Sequence, residues 1–310
     1  MVKRIQTIKG SIEIDALGLI LPHEHLFTDL RGPQVSDYAR GEPAAVIKVV
    51  EPYLAEASAV GVTALVECST VGVGRNLSVL RALAEVTPIH IIAPTGVYRD
   101  AYIPESLREI NEYNLEELWT TELMEGIEGT SIRAGFIKLA MSDDGPTALE
   151  IRNLKAAVKA SQNTGAVIAS HTIGGKIARK EMDVLEEAGF DLHRFIWIHA
   201  QTEPDVSILE DAARRGAYVE LDSVGAPYQL QTELIETTIA LIKAGFTDHL
   251  LLSHDAGWYN PARRDGLPEE GFRGYTALAK NFLPALLRRG ISEEQIRLIT
   301  VNNPAKAFAF

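Results

Sequence analysis

Short apolar, β-branched runs alternate eight times with longer segments of helical spacing, and polar residues collect at the C-terminal ends of those runs. Alternation of this kind predicts an α/β protein with a parallel sheet, and eight strands is the number that closes a barrel. An open doubly wound sheet would alternate too, but it usually carries a glycine-rich first turn, and here the first run ends in "PHEH". The expected fold is therefore a (β/α)8 TIM barrel with a short N-terminal strand pair.

In chain order, the strand pair falls within residues 3 to 15 and the first barrel strand is "LGLILPHEH", residues 17 to 25. The amphipathic segment "AAVIKVVEPYLAEASAVG" follows and closes near a glycine, as helix C-termini prefer. Strands two and three are residues 62 to 70 and 89 to 96. The stretch from Arg99 to Arg133 is longer than its neighbours and reads as two helices. Strands four to seven are residues 132 to 140, 166 to 172, 195 to 201 and 217 to 223, with helices at "ALEIRNLKAAVKASQNTG" and "LIETTIALIKAGF". Strand eight is residues 249 to 255, and the Gly/Pro-rich "AGWYNPARRDGLPEEGFRG" after it reads as a lid or pocket loop. No linker or low-complexity tract divides the chain, so one domain over residues 1–310 is expected.

Composition narrows the function. A single cysteine, Cys68, excludes an internal disulfide and a cysteine-based zinc site, so any metal must sit on nitrogen and oxygen ligands. The start lacks the apolar stretch of a signal peptide and no membrane-length run follows, which suggests a cytoplasmic protein. A net charge of −12 without a basic block argues against nucleic acid or an anionic membrane as partner and leaves small-molecule substrates.

A barrel builds its active site at the C-terminal ends of its strands. There the sequence places His23 and His25 on strand one, Lys138 on strand four, His171 on strand five, His199 on strand six and Asp255 on strand eight. Residues i and i+2 of a strand share a face, so His23 and His25 both face the axis while Glu24 points into the surrounding packing. Histidine nitrogens with a carboxylate oxygen are the ligand set of zinc and similar divalent ions. Four histidines, an Asp and a Lys exceed one tetrahedral site and leave room for two metals sharing a bridge. Lys138 is the odd member, since an ammonium repels cations; it is neutral, chemically modified, or away from the metals.

His90 and His249 open their strands and His193 precedes strand six, so these read as surface or structural residues. His254 faces away from the axis, towards a helix or the outer side of the site. Glu67 and Cys68 read as packing, and "TIGGK" after His171 is a weak match to a phosphate cradle.

The combination of "HEH", "GFIKLA", "SHT", "IHAQ" and "SHD" on strands one, four, five, six and eight resembles the phosphotriesterase family of the amidohydrolase superfamily, from "ILPHEH" to the closing "NNPAKAF". The resemblance implies that His23, His25 and Asp255 hold the more buried of two divalent metal ions, and His171 and His199 the more exposed one. Zinc is the first expectation, with cobalt, manganese or iron as alternatives. It further implies that Lys138 carries carbon dioxide as a carbamate bridging both ions, that Asp255 takes or relays the proton of the attacking water, and that the enzyme is a homodimer.

The implied activity is hydrolysis of a lactone or ester carbonyl with promiscuous phosphotriesterase activity; phosphotriester or N-acyl amide hydrolysis is the alternative within the family. Tyr98, in "TGVY", matches a tyrosine that lactonase-like relatives place near the reacting water. Those relatives often carry an Arg after the strand-seven Asp, where this chain has Ser223. Trp258 and Tyr259 follow Asp255 and suit an apolar substrate wall. Two other classes compete: a Schiff-base lyase using Lys138 as the amine, and an inactive metal barrel serving as a binding protein.

Overall fold

The chain closes on itself because each strand of its sheet finds a parallel neighbour. A computed structural model describes residues 3–310 of the expected 1–310 span. An antiparallel hairpin, β1 (Arg4–Thr7) and β2 (Gly10–Glu13), precedes β3 (Leu19–Phe27), β4 (Val62–Glu67), β5 (His90–Ile92), β6 (Pro94–Gly96), β7 (Phe136–Ala140), β8 (Ile168–His171), β9 (Phe195–Ile198), β10 (Tyr218–Leu221), β11 (Leu250–Leu252) and β12 (Gly257–Tyr259). Parallel ladders run in the order β12, β3, β4, β5 and in the order β6, β7, β8, β9, β10, β11.

Two joins complete the ring. β5 and β6 are one stave broken at Ala93: its first half pairs with β4 and its second with β7. β11 and β12 likewise form the eighth stave, whose second half pairs with β3 through Gly257 opposite His25. The result is the expected (β/α)8 barrel.

Expected strand ends differ from the observed ones for local reasons. The third strand cannot continue evenly because Pro94 has no N–H to give its ladder. The sixth stops at Ile198, where His199 takes a left-handed φ of +64°. The eighth leaves the ladder at Leu252, and Asp255 has a φ of +49°.

The helices cover the outside with one apolar stripe each. In Pro43–Ala59 the buried residues are Val46, Val50, Leu54 and Ala57, a spacing that keeps one face inward. The Arg99 to Arg133 stretch holds two helices, Glu105–Arg108 and Glu112–Met124. Helix Ala148–Thr164 opens on a Thr147/Glu150 capping box and stops at left-handed Gly165.

The inside of the barrel is filled from below by Ile20, Val66, Ile92, Phe136, Ile196 and Leu251. Ile5 of the hairpin and Phe308 near the C-terminus seal the lower end, Phe308 meeting Phe136 edge to face at 5.3 Å. The termini pair through reciprocal hydrogen bonds between Arg4 and Phe310. Polar side chains are thus left at the opposite, C-terminal end. Among the described residues, no helix is long and apolar enough to cross a membrane.

Candidate metal centre

Strand alternation brings His23 and His25 of β3 to the same side, with ring centroids 5.3 Å apart. Nε2 of His25 lies 3.1 Å from Oδ1 of Asp255, and Nε2 of His23 lies 3.5 Å from the same oxygen. These three residues offer ligand atoms within 4.8 Å of one another, and so does a second group of His23, His199 and Asp222. His199 also meets His171, Nε2 to Nδ1, at 2.8 Å. Lys138, from the middle of β7, reaches the same cavity.

All six residues expected at the site therefore converge on one cavity of about 170 Å³. Its wall also includes Leu30, Val73, Cys68, Tyr98 and Trp258. Tyr98 points its hydroxyl at Nδ1 of His171, 3.3 Å away. Trp258 stands edge-on to His25 at 6.0 Å. Tyr259, paired with Trp258 in the sequence reading as an apolar wall, instead stacks on Phe27 at 6.0 Å and does not line the cavity. Trp258 takes a left-handed φ of +61° just after the break in the eighth stave, and there the two neighbours part.

The electrostatics suit a cation. Nζ of Lys138 and Nε2 of His171 are both buried without a hydrogen-bond partner. Burial and the nearby Lys138 push the His23 imidazole down to about 4. At His25 burial opposes the charge, but contact with Asp255 and the Glu67 carboxylate 3.7 Å away outweigh it and hold the imidazole up at about 9. Asp255 is half-buried, yet His23 and His25 keep its carboxyl well below the usual carboxylate range. Burial together with His199 and Lys138 holds His171 well below the usual histidine range. The donor set of imidazoles and a carboxylate, gathered within 4.8 Å in the His23, His25 and Asp255 group, fits a divalent ion.

Supporting residues escaped the sequence reading. Glu220 and Asp222 of "VELDS" sit two apart on the seventh stave, both fully buried. Asp222 accepts from Nδ1 of His199 at 2.8 Å and from its backbone N–H at 2.9 Å, and lies 3.2 Å from Nδ1 of His23. Glu220 lies 3.0 Å from the same His23 nitrogen. Burial and the adjacent Asp222 raise the Glu220 carboxyl well above its usual range, whereas the two histidines outweigh burial and hold Asp222 well below. Their i, i+2 spacing on an inward face was the available signal. Ser69 supports the other ligand, its Oγ lying 2.8 Å from Nδ1 of His25.

Glu67 does more than pack: its carboxylate accepts from the backbone N–H groups of Leu26 and Ser69, fixing the ends of β3 and β4. His254 is fully buried and faces away from the axis as expected. Nε2 of its ring accepts from the N–H of Leu278 at 2.9 Å, so Nδ1 carries the proton and donates to Glu24 at 2.5 Å. The "TIGGK" turn is not a free anion cradle, because Thr202 and Glu203 accept from the N–H groups of Gly174 and Gly175. Ser223 accepts from Nε2 of Gln201 at 2.6 Å, and the same amide nitrogen donates to Asp222 at 2.7 Å.

Residues 3–308 match the model of the Phosphotriesterase family. The chain is 30% identical to an N-acetyltaurine hydrolase of Tetraodon nigroviridis, across 99% of this chain and 98% of that one. It is 28% identical to an aryldialkylphosphatase of Saccharolobus solfataricus, across 97% and 98% of the two chains. Among solved structures, a mutant PTE-like lactonase of Deinococcus radiodurans superposes with a TM-score of 0.89 at 31% identity, covering 98% of this chain and 99% of that one.

Proposed function

This chain belongs to the phosphotriesterase family and is a hydrolase, and from that premise we propose that it is a binuclear-metal-dependent hydrolase of a lactone or ester carbonyl. The observation that carries the proposal is the convergence of His23, His25, His199 and Asp255 above a buried Lys138 whose Nζ has no partner. His23, His25 and Asp255 would hold one ion, His171 and His199 the other. Carbon dioxide added at the neutral amine of Lys138, with release of the amine proton to solvent, would supply an anionic oxygen donor where the buried Nζ otherwise has no partner. Bound divalent ions supply Lewis acidity and a water nucleophile that ionises near neutral pH.

The chain's own residues do the rest. Asp255, whose carboxyl in the metal-free chain lies well below the usual carboxylate range, accepts a proton from the attacking water. Tyr98 stays protonated, since burial pushes its hydroxyl well above its usual range, and donates to the substrate's carbonyl oxygen. Trp258, Leu30 and Val73 exclude water around the acyl group. A cavity of about 170 Å³ admits a small acyl portion, with the remainder of the substrate at the open mouth.

N-acyl amide cleavage is the second reading, favoured by the similarity to the N-acetyltaurine hydrolase and by Ser223 in place of the Arg common in lactonase-like relatives. The family assignment leaves the Schiff-base alternative without support. Metal-reconstituted protein should be screened against aliphatic lactones, aryl esters, aryl phosphotriesters and N-acyl amides, with His23→Ala as the blank. Turnover of carbonyl substrates that depends on divalent metal supports the proposal. Fewer than one ion bound per chain, or turnover that survives in His23→Ala, overturns it.

A further inference from the structure

Glu24 lies between the two histidines of "HEH" yet points away from them, and its carboxylate is fully buried. Four donors converge on it. Oε1 accepts from Oγ of Ser253 at 2.8 Å, from the N–H of His254 at 3.1 Å and from Nδ1 of His254 at 2.5 Å; Oε2 accepts from the N–H of Ala256 at 3.1 Å. The N–H between these two, that of Asp255, donates to the carbonyl of His23 at 3.2 Å.

Such convergence needs Asp255 in the left-handed conformation, and its φ is +49°. A left-handed residue flanked by N–H groups aimed at one anion is a backbone nest, and the anion here is a side chain of the neighbouring stave. From the other side Arg273 donates through Nη1 to the carbonyl of His254 at 3.4 Å and through Nη2 to the carbonyl of Asp255. The donors and acceptors of the His254–Asp255–Ala256 segment are thus gripped above and below.

We propose that Glu24 is a positioning residue: with Arg273 it fixes the backbone of Asp255 in the left-handed conformation that aims the Asp255 carboxylate at His23 and His25. The proposal rests on the metal-site reading above. Glu24 touches no substrate; it acts through the direction of Asp255, and without it the segment relaxes towards an ordinary extended strand and the carboxylate swings away from the histidines. Arg273 is the weaker half of the grip, because it binds carbonyls whose positions Glu24 has already set.

The test compares Glu24→Gln, which keeps shape but removes the charge, with Arg273→Met and with Glu122→Gln, a buried carboxylate that binds Arg75 and Thr95 away from Asp255. Thermal melts of the metal-free proteins establish that each variant is folded. Zinc retention against a competing chelator and steady-state kinetics on the best substrate are then measured. Displacing a residue that orients a metal ligand costs about 10- to 100-fold in affinity or rate. Glu24→Gln is expected to lose that much in zinc affinity and in kcat with little change in KM, Arg273→Met less, and Glu122→Gln neither. Wild-type zinc affinity and kcat in folded Glu24→Gln, or equal losses in Glu122→Gln, would overturn the proposal. A wild-type protein that retains no zinc would instead sink the metal-site reading itself, and a Glu24→Gln protein that is unfolded passes the decision to the Arg273→Met and Glu122→Gln comparison, where equal behaviour again overturns it.

Discussion

Nε2 of His25 sits 3.1 Å from Oδ1 of Asp255, and in the metal-free chain that contact belongs to a protonated imidazole held up at about 9. A metal ligand must be neutral, so binding an ion at His25 expels this proton. Affinity for zinc should therefore rise about tenfold per pH unit from neutral pH to about 9 and then level off. Titration calorimetry in buffers of different ionisation enthalpy checks both the slope and the proton released. A pH-independent affinity over that range would show that metal binding displaces no such proton from His25.

Asp222 is bonded to Nδ1 and to the backbone N–H of His199 and also approaches His23, so it governs histidines on two staves at once. Asp222→Asn keeps the shape but replaces one of the two acceptor oxygens that His199 uses by a donor. Loss of such a partner costs about 10- to 100-fold in metal affinity. Metal content after dialysis against a chelator should fall accordingly, while far-ultraviolet dichroism stays that of the wild type.

The barrel was legible because its staves are continuous apolar runs, and six polar residues in or just after them stood out against that background. Asp222 and Glu220 did not stand out. In "AYVELDS" two carboxylates at alternate positions look like the polar face of an edge strand, and only the closed barrel turns that face inward. For Glu24 alternation gave the direction correctly, but its partners Ser253, His254 and Ala256 lie about 230 residues away and meet it only because the eighth stave closes against the first. Trp258 and Tyr259 show the same limit on a small scale: composition named both as wall residues, and the break after the eighth strand decided which one faces the cavity.

Glu181 offers a stability test away from the catalytic cavity. Its Oε2 accepts from the Thr172 hydroxyl at 2.7 Å, Oε1 is buried without a partner, and burial pushes its carboxyl up to about 7 from 4.5. Because the folded value lies above the unfolded one, this group's contribution is fully present below about 4.5 and is lost as pH rises towards about 7. At alkaline pH the buried anion costs on the order of 3 kcal/mol. Glu181→Gln should melt higher than wild type above about pH 7 and show a flatter dependence of Tm on pH below it. A wild-type pH profile in the variant would count against a buried charge at this position.

Tyr98 supplies the sharpest chemical test. Its hydroxyl is 3.3 Å from Nδ1 of His171, its ring stands edge-on to His171 at 5.3 Å and to Tyr102 at 5.4 Å, and burial keeps it protonated. Tyr98→Phe preserves both ring contacts and removes only the O–H. If that O–H donates to the carbonyl oxygen as negative charge builds on it, its loss lowers kcat by about 100-fold, the usual effect of deleting one such donor. A purely structural role would instead disturb His171 and with it the metal content. The expected signature is thus a large fall in kcat on lactones, KM within about twofold, and unchanged metal per chain. Reduced metal content with proportionate activity would assign Tyr98 to packing, and an unchanged kcat would remove it from the reaction altogether.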